Sequence, residues 1–215
     1  MASAARNLKS SRIRVMMRVA FPALLGFLGL FVSSRAPHGS GTFYAATLFT
    51  AAVYLAAWWR WGDRRAFSPP RPGREALRGI AIGVGLLALF VLGAFLLRYF
   101  PFMTGSVHEL LDNARVGPLA MTLLTTTVNG LGEEMFFRDV VRRTVPRQRA
   151  VGLILYLVVT AAMGVPLLLL AALIVGGAAQ YEARRSAHLI SPLLLHLTWS
   201  IGMLFALPPI LTTPG

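Results

Sequence analysis

The chain has 215 residues, of which 56% are hydrophobic and 13% charged, with a formal net charge of +13 and no cysteine. Its apolar residues come in runs approaching or exceeding ~18, the length of a membrane-spanning helix, which excludes an ordinary soluble domain. The missing cysteine excludes disulfides, thiolate catalysis and cysteine-ligated metals. The basic residues lie between apolar runs, a pattern of membrane topology rather than of nucleic-acid binding.

Seven apolar segments follow in order, so the expected fold is all-α, a polytopic bundle of about seven spans. The first, about 19–33, follows a basic start carrying Arg6, Lys9, Arg12, Arg14 and Arg18. A signal peptide is the alternative, but FVSSRAP lacks a small-x-small cleavage site, so an uncleaved span is expected. The second and third are about 42–59 and 79–97. Between them DRRAFSPPRPGRE (63–75) is basic and proline-rich, and is expected to rest against anionic headgroups. The fourth begins near Gly117 and carries Glu133 and Glu134 toward its end. The fifth and sixth, about 151–163 and 165–180, are broken by Gly164-Val165-Pro166, either a tight turn between two helices or a re-entrant piece. The seventh, about 189–207, is expected to stop at Pro208-Pro209.

With the N-terminus in the cytoplasm, alternation of these spans leaves only Arg35, Arg98 and Arg115 outside among the basic residues. The C-terminus is then outside. Lys9 is the only lysine, which suggests a GC-rich bacterial genome and hence a bacterial cytoplasmic membrane. The expected division is 1–116, a basic tail and three spans; 117–207, a core of about four helices carrying the chemistry; and 208–215, a short tail.

Helix spacing separates the two glutamates. Glu134 and Arg138 are four apart in the favourable acid-before-base order. Asn129 and Glu133 are also four apart, on a neighbouring face. Glu134 therefore has a counter-ion on its own helix, and Glu133 has only Asn129. The plain alternative puts both acids at headgroup level, paired with Arg138, Arg142 or Arg143. Acids at a helix C-terminus would oppose the macrodipole. His196 lies within the last span with Ser200 four residues on; a histidine there either bonds a neighbouring helix or marks a site.

GEEMFFR (132–138) resembles the EExxxR signature of the CAAX protease and bacteriocin-processing family of intramembrane proteases, also called the abortive-infection family. ARRSAHLISPLLLHLTWS (183–200) is similar to that family's last block, in which a proline leads into a helical histidine. The resemblance covers about 117–207. It implies helices around a polar cavity open toward the cytoplasmic side, and an endopeptidase that hydrolyses membrane-delivered peptides. It implies that Glu133 holds and deprotonates a water, that His196 positions this water or stabilises the oxyanion, and that Glu134 pairs with Arg138. The catalytic set is thus Glu133, Glu134 and His196, supported by Arg138, Asn129, Thr160 and Ser200.

Two departures stand out. The family's middle motif, FxxxH, corresponds to YLVVT (156–160), with Tyr156 for the aromatic and Thr160 for the histidine; Ser200 stands where the family tends to have asparagine. Members are often named metalloproteases, but a catalytic zinc takes about three protein ligands. One intramembrane histidine and one or two glutamates do not supply them, so no cofactor is expected. The partners expected are a peptide or membrane-protein substrate and the lipid bilayer, with no nucleic acid; oligomeric state is left open, as is whether Gly176-Gly177 packs within the chain or between chains. Two other readings stand beside the protease. One is a catalytically weak or inactive member acting as a membrane binding or immunity protein. The other is a small transporter, against which the lack of an inverted repeat counts.

Overall fold

The computed structural model describes residues 13–97, 117–145 and 150–212. Arg6, Lys9, Arg12, Arg98, His108, Arg115, Arg147 and Arg149 lie outside them. The described chain is helical, without strands: α1 Ile13–Arg35, α2 Gly41–Trp61, α3 Pro72–Leu97, α4 Leu119–Met135, α5 Val151–Thr160, α6 Pro166–Ser186 and α7 Ile190–Thr212. Five of these, α1, α2, α3, α6 and α7, are long and apolar enough to cross a bilayer. The chain is an integral membrane protein built as a polytopic bundle. α4 is shorter and carries threonines, Asn129 and both glutamates; α5 is short but apolar, and a 3-10 turn extends it to Met163.

Local sequence sets the breaks. Ser40 caps α2 by accepting from the Phe43 N–H. Gly164 takes a left-handed φ of 73° and Pro166 starts α6, so the 164–166 break is a tight turn between two separate helices. α7 does not stop at Pro208-Pro209 as expected. It continues to Thr212, because a proline removes one backbone donor without forbidding helical φ.

The larger difference concerns α4. It does not end at the double glutamate. Its backbone continues through a π-helical stretch, Phe136–Val141, to Thr144. Phe136, Phe137, Arg138, Asp139, Val140 and Val141 are all buried. The acids therefore lie at mid-helix in the bundle interior, and the headgroup reading of Glu134 does not hold. A π insertion of this kind rotates the following side chains relative to the preceding ones.

Packing follows small residues. A β-carbon on Gly79 would run into the Ser191 backbone, and Gly83 lies against Leu195 and Thr198, so α3 and α7 run parallel in close contact. Gly176 faces Tyr156, where a β-carbon would stand 2.8 Å from ring atoms. It therefore packs within the chain, against α5. Tyr54 of α2 stacks on Phe136 at 4.8 Å. The start of the loop after α2 is pinned to α4: Asp139 accepts from the Asp63 N–H at 2.8 Å and from the Trp58 indole at 3.0 Å. The buried Ala66 carbonyl accepts from the Leu189 N–H.

Candidate active site

Four helices meet at the level of Glu133. On α4, the Asn129 amide donates to Glu133 Oε1 at 2.9 Å, the contact expected from the i,i+4 spacing. From α5, the Tyr156 hydroxyl donates to Glu133 Oε2 at 3.2 Å. Both carboxylate oxygens thus accept from neutral donors, which replace part of the hydration lost on burial. From α7, His196 brings Nε2 to 4.0 Å from Glu133 Oε2. Glu133 is 12% exposed and His196 8%.

Glu134 turns to the other face and serves two partners. Its Oε2 lies 3.3 Å from Arg138 Nε, with both side chains fully buried. Its Oε1 lies 2.9 Å from His196 Nδ1. A carboxylate only accepts, so Nδ1 carries a proton and donates it, which turns Nε2 toward Glu133. The Arg138–Glu134 pairing agrees with the spacing, but the glutamate also orients the histidine. Arg138 donates to the Gly176 carbonyl at 3.3 Å and sits over the Tyr156 ring at 4.5 Å. The chain of contacts Arg138–Glu134–His196 is therefore held by α4, α6 and α7, with the Tyr156 ring beneath Arg138.

A cavity of about 570 Å³ opens from this level. Glu133, His196, Asn129, Thr160 and Ser200 all line it, together with Tyr156 and Trp199. Glu134 and Arg138 do not; they lie behind His196. Thr160, at the position of the absent middle histidine, is buried and faces the same space. The Trp199 indole nitrogen is buried with no hydrogen-bond partner; its ring packs edge-on against Phe90.

The cavity is more apolar than expected. Most of its lining is aliphatic or aromatic; Glu133, Asn129, Tyr156 and His196 meet at one end, and threonines and serines are scattered along the walls. Its walls come from the late part of α1 (Leu30, Ser33), the early part of α2 (Phe43, Thr47), the late part of α3 (Leu89, Ala94) and the late part of α7 (Met203, Leu207). The described arginines other than Arg35 lie at the opposite ends of these helices or beyond. The cavity-lining residues and the described arginines other than Arg35 thus lie toward opposite ends of these helices. On the arginine side of Glu133, Phe136, Phe137, Val140 and Val141 are at most 1% exposed.

Sequence reasoning missed the Tyr156 hydroxyl as a donor to Glu133 and the bond from Glu134 to His196. Tyr156 was visible as the aromatic of the altered middle motif, but its hydroxyl partner depends on how α5 is rotated against α4. A further buried carboxylate, Glu182, was also missed: it accepts from Arg78, Arg185 and Ser191 at 2.8–3.1 Å and ties α6 to α3 and α7.

Searches of curated proteins and of solved structures returned no match. The segment 115–202, which holds most of the helices that build this site, matches the family model described as Type II CAAX prenyl endopeptidase Rce1-like.

Proposed function

We propose that this protein is a glutamate-dependent intramembrane endopeptidase that hydrolyses membrane-delivered peptides. The family match supports an endopeptidase of the CAAX type. The observation that carries the mechanism is the facing pair Glu133 Oε2 and His196 Nε2, 4.0 Å apart at the polar end of the cavity. A water at ordinary hydrogen-bond distance, about 2.8 Å, reaches both atoms. It donates one hydrogen to each, and a lone pair is left to attack a substrate carbonyl.

In this reading Glu133 takes a proton from the water as the new C–O bond forms. Asn129 and Tyr156 hold its carboxylate still, and Glu134 holds His196. The oxyanion is met by donors on the cavity wall, a role the Thr160 and Ser200 hydroxyls are proposed to fill because both residues line the cavity. Collapse breaks the C–N bond, and Glu133 returns its proton to the leaving amine.

The residues do not fit a catalytic zinc. Glu133 and His196 are two donors where about three are needed; Nδ1 of His196 is engaged by Glu134. Among the described residues no group of three His, Cys, Asp or Glu is arranged so that it could hold a metal ion. No step is therefore routed through a metal.

The second reading, a binding or immunity protein on this scaffold, is favoured by Thr160 in place of histidine and by the apolar cavity. The test compares Glu133→Gln with Thr126→Phe, which fills the cavity. Loss of peptide cleavage in Glu133→Gln, with normal membrane insertion, supports the protease. Full biological activity in Glu133→Gln combined with its loss in Thr126→Phe replaces it with the binding reading.

A further inference from the structure

The segment between α2 and α3 is fixed on one side and free on the other. Its inner side is held by the bundle: Asp139 accepts from the Asp63 N–H, the buried Ala66 carbonyl accepts from the Leu189 N–H, and Phe67 packs edge-on against Trp58 at 5.5 Å. Its outer side carries Arg64, Arg65 and Arg71, followed by Arg74 in the first turn of α3; all four are exposed. The described acids at this end are already engaged by other arginines. Asp63 pairs with Arg143 at 2.9 Å, Asp139 lies 3.6 Å from Arg142, Glu75 pairs with Arg185, and Glu182 pairs with Arg78 at 2.8 Å. Arg64, Arg65, Arg71 and Arg74 form no ion pair with a described residue. Arg64 instead lies over the Trp59 ring, 4.8 Å from its centroid.

Apolar surface adjoins these charges. Trp59, under Arg64, is 73% exposed. On α3, Leu77 and Ile80 are 69% and 42% exposed and follow Arg74 by roughly 5 and 9 Å along the helix axis. A guanidinium fork matches phosphate oxygens, and an aromatic ring beside it suits the depth of a membrane interface. A phospholipid presents both halves of this pattern, an anionic phosphate and apolar chains a few ångströms deeper. A nucleic acid would answer the charge and leave the apolar surface without a partner.

We propose that Arg64, Arg65, Arg71 and Arg74 form a binding surface for anionic phospholipid. The headgroup phosphate lies against the guanidinium groups, and the acyl chains run along Trp59, Leu77 and Ile80. The arginines paired with acids, such as Arg78, hold helices together instead. This surface does not depend on the proteolytic reading.

The test is lipid binding to the whole chain in detergent, read by native mass spectrometry, with dioleoyl-phosphatidylglycerol against dioleoyl-phosphatidylcholine. The two share their acyl chains and differ in headgroup charge. One arginine beside an anionic lipid surface strengthens binding about fivefold, so the wild type is expected to prefer phosphatidylglycerol by at least about tenfold. High salt is expected to weaken that preference. The variant Arg64→Gln/Arg65→Gln/Arg71→Gln/Arg74→Gln is expected to bind both lipids alike and to keep the wild-type thermal midpoint in phosphatidylcholine nanodiscs. Arg78→Gln is expected to do the reverse: it keeps the preference and lowers the midpoint, because the buried Glu182 loses a partner. Equal binding of the two lipids by the wild type overturns the proposal, and so does a preference that survives the fourfold variant. Tighter binding of a short RNA duplex than of phosphatidylglycerol, lost in the same variant, also overturns it and makes the surface a nucleic-acid site. None of these readouts involves cleavage, so they stand or fall separately from Glu133→Gln.

Discussion

Glu134 Oε1 lies 2.9 Å from His196 Nδ1 in a fully buried setting, while its other oxygen faces Arg138. The second acid of the pair is thus a bridge between an arginine on its own helix and a histidine three helices later. Removing its charge strands Arg138 in the bundle interior. Breaking a buried ion pair from one side costs about 3–5 kcal/mol. Glu134→Gln is expected to lower the thermal midpoint in detergent markedly and to release the His196 ring. An unchanged midpoint would show that the pair is not needed for the fold.

Tyr156 separates ring from hydroxyl. The ring packs on Phe137 and under Arg138, while the hydroxyl donates to Glu133. Tyr156→Phe keeps the first and loses the second. A neutral hydrogen bond contributes about 0.5–1.5 kcal/mol, so cleavage is expected to slow by up to about tenfold with the midpoint little changed. A larger fall in stability than in rate would assign Tyr156 to packing alone.

Gly176 is small because Tyr156 and Arg138 occupy the space beside it. Overpacking of this kind costs typically about 1–3 kcal/mol. Gly176→Ala is expected to destabilise the protein and to displace Tyr156, so that it lowers both midpoint and cleavage. Gly177, with no neighbour where its β-carbon would stand, serves as the control: Gly177→Ala is expected to be silent in the same unfolding assay.

Asp139 tests the arginine end, away from the chemistry. It is fully buried and accepts from the Trp58 indole and the Asp63 N–H. Asp139→Ala leaves both donors without that partner, at about 1–3 kcal/mol. Faster hydrogen exchange is expected at the Asp63 amide, at the junction of α2 and the loop after it; no change there would mean that water replaces the carboxylate.

Much of this arrangement was legible from spacing. Seven apolar segments became seven helices, and the pairs Asn129–Glu133 and Glu134–Arg138 follow from the α-helical period within one helix. What crosses between helices was not legible. The Tyr156–Glu133 and Glu134–His196 bonds depend on the rotation of α5 and α7 about their axes, which hydrophobic runs apolar on all sides do not specify. The end of α4 was misplaced for a related reason. Arg138 and Asp139 look like the start of a polar loop, yet each finds a buried partner, and the π stretch carries them inside. The direction of the cavity was inferred from resemblance, and neither composition nor spacing contains it.

The most direct measurement is cleavage by the purified protein in lipid vesicles of a panel of quenched fluorogenic peptides carrying a membrane anchor, with products identified by mass spectrometry. Wild type is expected to cut at least one peptide at a defined bond. Glu133→Gln, inserted and folded to the same extent, is expected to lose at least about a hundredfold in rate, the lower range for a positioned general base. Cleavage that persists undiminished in Glu133→Gln would contradict the account.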